Sequence, residues 1–209
     1  MATTARGRPD NGQLKNMQFH RFAVADCHRA QGVVVVIDVL RAFTVAAWAF
    51  HRGAADLVLT TTVDEAFRLR DRHPGSVIMG EVDALPVDGF DLPNSPTAVA
   101  DATLRAQRVI HRTTAGTQGA CRALAASHLY AASLVVANAT ATAIAGLNPA
   151  QVAFVETGRR DGDCGADDVA CADYLEGVLA GAPPPVEEIT RRVRDSTAGR
   201  RFADPAKPQ

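Results

Sequence analysis

The chain has 209 residues and a formal net charge of −1, a balance with no global field to gather nucleic acid or anionic lipid, which argues against both as partners. Hydrophobic residues make up 47% and aromatics 5%, so the core is built from Ala, Val and Leu, which suits alternating strands and helices rather than an all-β sandwich. This length fits one well-buried domain.

Taken in order, Met1 to Gly12 is polar, with no apolar period, and residues 1–15 are expected to form a disordered leader. It lacks the basic-then-apolar layout of a signal peptide, and no aliphatic run approaches the roughly 18 to 20 residues of a membrane span, so the expected location is cytoplasmic with no membrane partner. Phe19 to Ala25 predicts a first strand. Val33 to Ile37 is β-branched throughout, as expected of a central parallel strand covered on both faces. The segment after Thr44 predicts a helix that stops at Gly53. A short strand, Asp56 to Thr61, precedes an amphipathic helix, Val63 to Arg72, opened by a threonine and two acids. Val77 to Met79 is another short strand, leading to Gly80-Glu81 and the irregular stretch Val82 to Pro96; loops of that length inside compact domains are usually functional.

The second half repeats strand, small-residue turn and helix. Arg108 to Thr114 leads through Ala115-Gly116-Thr117 into an alanine-rich helix expected to reach Ser127. Leu134 to Ala137 leads into a short helix ending near Leu147. Val152 to Val155 leads through Glu156-Thr157-Gly158 into a helix over 167–181. A basic helix is expected over 186–196 and a flexible tail over 197–209, leaving a single domain over 16–196. Cys27, Cys121, Cys164 and Cys171 form no Cys-x-x-Cys pair and no zinc spacing, and read as buried, reduced thiols.

Chemistry concentrates where the central strand ends. Asp38 stands at its C-terminal edge, where ligands bind in open α/β sheets, and Arg41 and Thr44 follow at three-residue intervals. If a helix begins near Asp38, that spacing turns all three toward one volume. The same residues also suit a plain N-cap with a solvated neighbour. Three strands emptying into Thr, Gly, Asn and Ala turns let backbone N–H groups approach an anion. There is no G-x-x-x-x-G-K-[ST], which excludes a nucleotide P-loop. Haloacid-dehalogenase phosphatases carry an acid two residues after the nucleophilic aspartate, and here that position is Leu40.

Asp38-Val39-Leu40-Arg41-Ala42, Gly80-Glu81, GFDLPNSP at 89–96 and TTAGT at 113–117 together resemble the 2-phosphosulfolactate phosphatase family, in order from about Val33 to Gly177. The resemblance implies a three-layer α/β/α sandwich with a mostly parallel central sheet, a bound magnesium, and hydrolysis of a phosphate monoester on a small acidic or polar metabolite. A homodimer is left open. On the charge argument that a phosphate dianion needs a hard cation and fixed donors, the expected magnesium ligands are Asp38, Glu81 and Asp91, with Asp38 and Arg41 catalytic and Arg41 clamping the phosphoryl oxygens. Asn94, Ser95, Thr114, Gly116 and Thr117 would add phosphate donors, and Arg159 would meet the acidic head group. Ordinary turn chemistry for Asn94 and Ser95, and a surface role for Arg159, are the alternatives. Water and Asp38 both stand as nucleophile.

Three departures from the family pattern bear on substrate choice. Val82-Asp83-Ala84 replaces Arg-Gly-Gly, Ala115 replaces Asn, and Asp167-Asp168 replaces Glu-Asp. The loss of a family arginine from a stretch that here carries Asp83 predicts a substrate less acidic than phosphosulfolactate, or one with a neutral or cationic group facing Asp83. The chain also stops soon after Asp204, and only Lys15 and Lys207 among its 22 basic residues are lysines. A small-anion-binding protein that has lost turnover is the competing expectation, and an enzyme acting on a phosphoanhydride or phosphonate is a third.

Overall fold

The computed structural model of the protein describes residues 17–160 and 162–205; the leader expected over 1–15 lies outside them. The β-branched run forms β2 (Gly32–Ile37), and Val34 to Ile37 have no exposed surface. It lies within a parallel four-stranded sheet of order β1 (Gln18–Ala23), β8 (Gln151–Glu156), β2, β7 (Ala126–Ala132). A second parallel sheet has the order β3 (Asp56–Thr60), β6 (Arg108–Arg112), β4 (Val77–Gly80), β5 (Leu92–Pro93). A small antiparallel ribbon, β9 (Arg159–Arg160) with β10 (Asp163–Cys164), follows β8.

Alternation along each strand fixes the layers. Val33, Val35 and Ile37 pack with Ile144 of α5 (Ala137–Leu147) and with Cys171 and Leu175 of α6 (Ala166–Ala180). Val34 and Val36 face the other way, onto Ala42, Phe43 and Ala46 of α1 (Ala42–His51) and Ala120 of α4 (Gly116–Arg122). Leu57 and Leu59 of β3 close on that same cluster. Val45 and Ala49 of α1 then meet Met79 and Val109 of the second sheet, while Ile78 and Ile110 turn to Ala66 of α2 (Val63–Arg72). The fold is α/β with parallel sheets covered by helices, and its strands divide between two sheets that share α1 and α4 as a middle layer. Strands apolar on both faces announce burial on both sides but not which strands they pair with, so one central sheet and two look alike in the sequence. Each buried Val or Ile contributes about 1.5 to 3 kcal/mol, and the shared helical layer lets both sheets bury a face against it.

Local signals that depend on neighbouring residues reappear in the structure. Thr62 Oγ1 accepts the Glu65 amide at 3.1 Å and Glu65 Oε2 accepts the Thr61 amide at 3.0 Å, a reciprocal cap that sets the start of α2. The 116–132 region differs from expectation. Helix α4 ends at Arg122 and residues 126–132 form β7, whereas the expected strand at 134–137 is a short 3₁₀ turn over Leu134–Val136. Strand β7 is a sheet edge with Ser127, His128, Leu129 and Ala131 exposed, so it carries no apolar alternation; its ladder to β2 overrides the helical propensity of its alanines. Within the tail expected to be flexible over 197–209, Thr197–Ala203 folds into α8 after α7 (Val186–Arg194), while residues 206–209 lie outside the described residues. All four cysteines are free; Cys27 and Cys171 are buried, but Cys121 is half-buried and Cys164 exposed. Among the described residues no helix is long and apolar enough to cross a membrane.

Candidate active site

The C-terminal ends of β2, β4, β6 and β8 open into one cleft of about 300 Å³, closed on the far side by the start of α6 and by α8. The turn after β2 is held by its own amides. Ala42 N–H donates to Asp38 Oδ1 at 2.9 Å and Val39 N–H donates to Asp168 Oδ1 at 2.8 Å. Helix α1 therefore starts at Ala42, not near Asp38. Thr44 is turned out of the site and donates to the Val39 carbonyl at 2.8 Å.

Asp167 and Asp168 sit in the first turn of α6, where the helix dipole favours carboxylates. The second oxygen of Asp168 accepts Gly158 N–H at 2.7 Å and the Thr157 hydroxyl at 3.3 Å. One side chain thus ties the turn after β2 to the turn after β8. An Asp168→Asn variant would place an NH₂ donor against one of these backbone donors, so we expect it to lose about 1 to 3 kcal/mol of stability, measured by chemical denaturation. Unchanged stability would show that the clamp carries no energy.

Glu81 organises the other half of the rim. Its carboxylate accepts Thr114 N–H at 2.6 Å, the Thr114 hydroxyl at 3.1 Å and Ala84 N–H. Thr114 Oγ1 in turn accepts Asp83 N–H at 2.7 Å, and Arg112 donates to the Glu81 carbonyl at 2.6 Å. Gly80 allows this crossing: a Cβ there would lie 1.9 Å from the Arg112 carbonyl oxygen. Gly116 is equally constrained, because its Cβ would stand 2.7 Å from Asp38 Oδ2. Asn94 lines the cleft, and its Oδ1 lies 3.2 Å from His111 Nε2. Burial pulls His111 down to about 3, so the ring is neutral and orients Asn94 rather than carrying charge.

Electrostatically the cleft has two ends. Burial first, then the neighbouring Asp167 and Glu81 charges, push the Asp38 carboxyl up to about 6 against the hydrogen bond from Ala42. Burial raises Asp167, and burial with Asp38 and Asp167 raises Asp168 well above the ordinary carboxylate range. Arg41 stands beside these acids. It is 7% exposed, its guanidinium lies 4.1 Å from the Phe202 ring centroid, and its Nε and Nη1 are buried with no hydrogen-bond partner. Burial lowers its pKa, with Arg201 adding to the effect. An orphaned buried guanidinium costs free energy unless an anion meets it.

Of the residues expected from sequence, Asp38, Arg41, Glu81, Asn94 and Thr114 line the cleft, and Gly116 packs directly behind Asp38. Four others do not join them. Asp91 accepts Ile78 N–H and pairs with Arg70 at 3.7 Å, away from the cleft, so it is not brought to Asp38 and Glu81. Ser95 is buried at the N-cap position of α3 (Pro96–Ala100), without a side-chain capping bond. Thr117 is fully buried and exchanges bonds with Thr113, locking the turn before α4. Arg159 pairs with Glu156 at 3.5 Å and lines a depression with Arg122 and Asp26 that adjoins the cleft across Thr114, Ala115 and Thr157. Asp167, Asp168, Thr157 and the α8 residues were missed as site residues. Paired acids opening a helix after a small-residue turn are a signal for the first two; nothing local marks α8.

Hard carboxylate oxygens fit magnesium in kind. Among the described residues no three His, Cys, Asp or Glu side chains converge as a ready-made metal cluster. Magnesium does not require one, since it is commonly held by one or two carboxylates with water and substrate phosphate completing the shell. Asp38, with only Oδ1 taken by a backbone donor, and Asp167 on the cleft have that character, whereas both oxygens of Asp168 and of Glu81 are engaged by backbone donors.

A family model described as 2-phosphosulpholactate phosphatase matches residues 21–197. A protein of Bacillus subtilis named "Probable 2-phosphosulfolactate phosphatase" is 36% identical over 192 residues, covering 90% of this chain and 80% of that one. Proteins of Deinococcus radiodurans and Thermus thermophilus with the same name are 41% and 37% identical, each over 149 residues, 71% of this chain and 60% of theirs. The matched stretch therefore spans less than two thirds of the length of these last two.

Proposed function

The chain belongs to the 2-phosphosulpholactate phosphatase family, a family of phosphoric monoester hydrolases, and from that premise we propose that its cleft hydrolyses the phosphate monoester of a small acidic metabolite with the help of magnesium. The observation that carries the reading is Arg41: a buried guanidinium with two uncommitted donors beside Asp38. Its planar fork matches two phosphoryl oxygens at once and stays charged at any working pH. Asn94 lies on the same rim and its side-chain NH₂ would supply a neutral donor, while Thr114, whose N–H and hydroxyl both go to Glu81, braces that rim. Asp38 and Asp167 would hold the cation, which offsets the negative charge of the phosphate dianion when bound. Asp168, through Val39 and Gly158, keeps the two carboxylates and Arg41 in register, so that little reorganisation is needed as charge shifts toward the leaving oxygen.

The test is phosphate release from p-nitrophenyl phosphate and from small phosphorylated hydroxy acids, with magnesium and after chelation. Release should depend on the cation and fall by on the order of a hundredfold or more on its removal, returning when magnesium is restored. Full activity after exhaustive chelation would remove the metal from the reading. No release with any divalent cation would leave an anion-binding protein of the same fold.

A further inference from the structure

One wall of the cleft comes from α8, which lies beyond the family-matched residues except for Thr197. It is firmly placed. Ser196 is buried; its hydroxyl donates to the Val193 carbonyl at 2.8 Å and accepts Gly199 N–H at 2.9 Å, capping α8 against the end of α7. At Gly199 a Cβ would stand 2.1 Å from the Val193 carbonyl oxygen, so the two helices meet at a distance only glycine permits. Helix α7 is itself tied to α6 by Arg192 and Asp173 at 2.6 Å. The far end of α8 is fixed by Phe202 under Arg41.

This placement sets two guanidiniums around one ring. Arg41 stacks on Phe202 at 4.1 Å, and Arg201 lies 5.9 Å from the same centroid, on the cleft and exposed. The two are close enough for Arg201 to disfavour the charge on Arg41. Like charges held together beside a small cleft are relieved by a ligand with two anionic groups. Buried Arg41, with its unpartnered donors, takes the phosphoryl group, and exposed Arg201 can reach a group farther along the same molecule.

Resting on the phosphatase reading of the cleft, we propose that Arg201 is a specificity-determining residue that receives the second acidic group, carboxylate or sulfonate, of the phosphorylated substrate. Asp83 lines the same cleft and on sequence grounds would repel that group. Arg201 supplies the opposing charge that Arg159, turned to Glu156, does not.

The experiment compares 2-phospholactate with isopropyl phosphate, which differ by a carboxylate in place of a methyl, in the parent, Arg201→Gln and Arg201→Lys. Arg200→Gln, a charge change on the same helix at a residue bonded to the Asp195 carbonyl and outside the cleft, is the control. In Arg201→Gln, kcat/KM for 2-phospholactate should fall by about tenfold or more, mainly through KM, while isopropyl phosphate changes by less than about threefold. Arg201→Lys should recover part of the loss, and Arg200→Gln should show none. Equal loss on both esters, or loss on neither, overturns the assignment. Calorimetric binding of 3-phosphonopropionate and propylphosphonate needs no turnover and separates the two readings. If the parent hydrolyses neither ester but Arg201→Gln weakens only the carboxylate-bearing phosphonate, the phosphatase reading fails and Arg201 stands; equal binding by parent and variant overturns Arg201 whatever the turnover.

Discussion

Replacing Asp38 with asparagine should lower turnover by on the order of a hundredfold or more while the cation-free protein melts no lower than its parent. The substitution keeps the volume and the acceptor for Ala42 N–H, so the turn that starts α1 survives. What it deletes is a negative charge that the fold disfavours. The carboxyl is pushed up to about 6, chiefly by burial and then by Asp167 and Glu81. A folded-state pKa above the unfolded one means that the native state binds the proton more tightly. The corresponding stability is fully present below the ordinary value of 3.8 and is lost as pH rises through about 6. The variant has no such loss. Without a divalent cation its melting temperature should therefore exceed the parent's at pH 7 and approach it at pH 4, with a difference of at most about 3 kcal/mol at the higher pH. Near-native turnover would return Asp38 to the role of helix cap, and equal pH dependence of melting would show that its charge is not strained by its neighbours.

Legibility in the sequence followed the range of the interaction. Residues 33–41 carry their meaning locally: a run apolar on both faces must be buried, and the first polar residues after it must stand at the sheet edge. The Thr62 cap and the stop at Gly53 are equally local. The bonds that shape the site are not. Asp168 reaches Val39 across 129 positions and Glu81 reaches Thr114 across 33, so neither the clamp nor the rim has a spacing to read. Helix α8 is short and without an apolar stripe; it is held by a capping serine, a glycine contact and a ring under an arginine. Asp91 misled because the resemblance placed it in a distinctive string, whereas its carboxylate serves the backbone of β4.

The departure at Val82-Asp83-Ala84 acquires a backbone meaning that its charge alone did not suggest. Asp83 and Ala84 have φ of 52° and 64°, the left-handed region that glycine enters freely and other residues at a cost of roughly 1 to 2 kcal/mol each. The family pattern of two glycines suits that geometry. Here the strain is opposed by Glu81 and Thr114, which accept the Ala84 and Asp83 amides and hold the loop in the same shape. The substitutions therefore alter the charge facing the cleft while leaving the rim in place.

Arg41→Lys should lower kcat/KM by on the order of a hundredfold to a thousandfold, the scale of losing a principal donor to a transition-state oxyanion. Arg41 Nε and Nη1 are buried without partners while the flat face rests on Phe202, so its donors as well as its charge are left over for an anion. A lysine ammonium at the end of a flexible stem can neither stack as a plane nor present two parallel N–H groups, so it can satisfy one phosphoryl oxygen where the guanidinium satisfies two. Burial already weighs against charge at this position, and it acts more severely on lysine, whose pKa shifts readily when water is removed. The affinity for inorganic phosphate should fall together with kcat/KM, because the same fork serves ground and transition state. Thermal melting should move little, because Arg41 makes few bonds to lose. Steady-state kinetics on p-nitrophenyl phosphate and calorimetric phosphate titration of the two proteins decide the matter: unchanged constants would make Arg41 a packing residue for Phe202, and the anion end of the cleft would have to be sought at Arg201 alone.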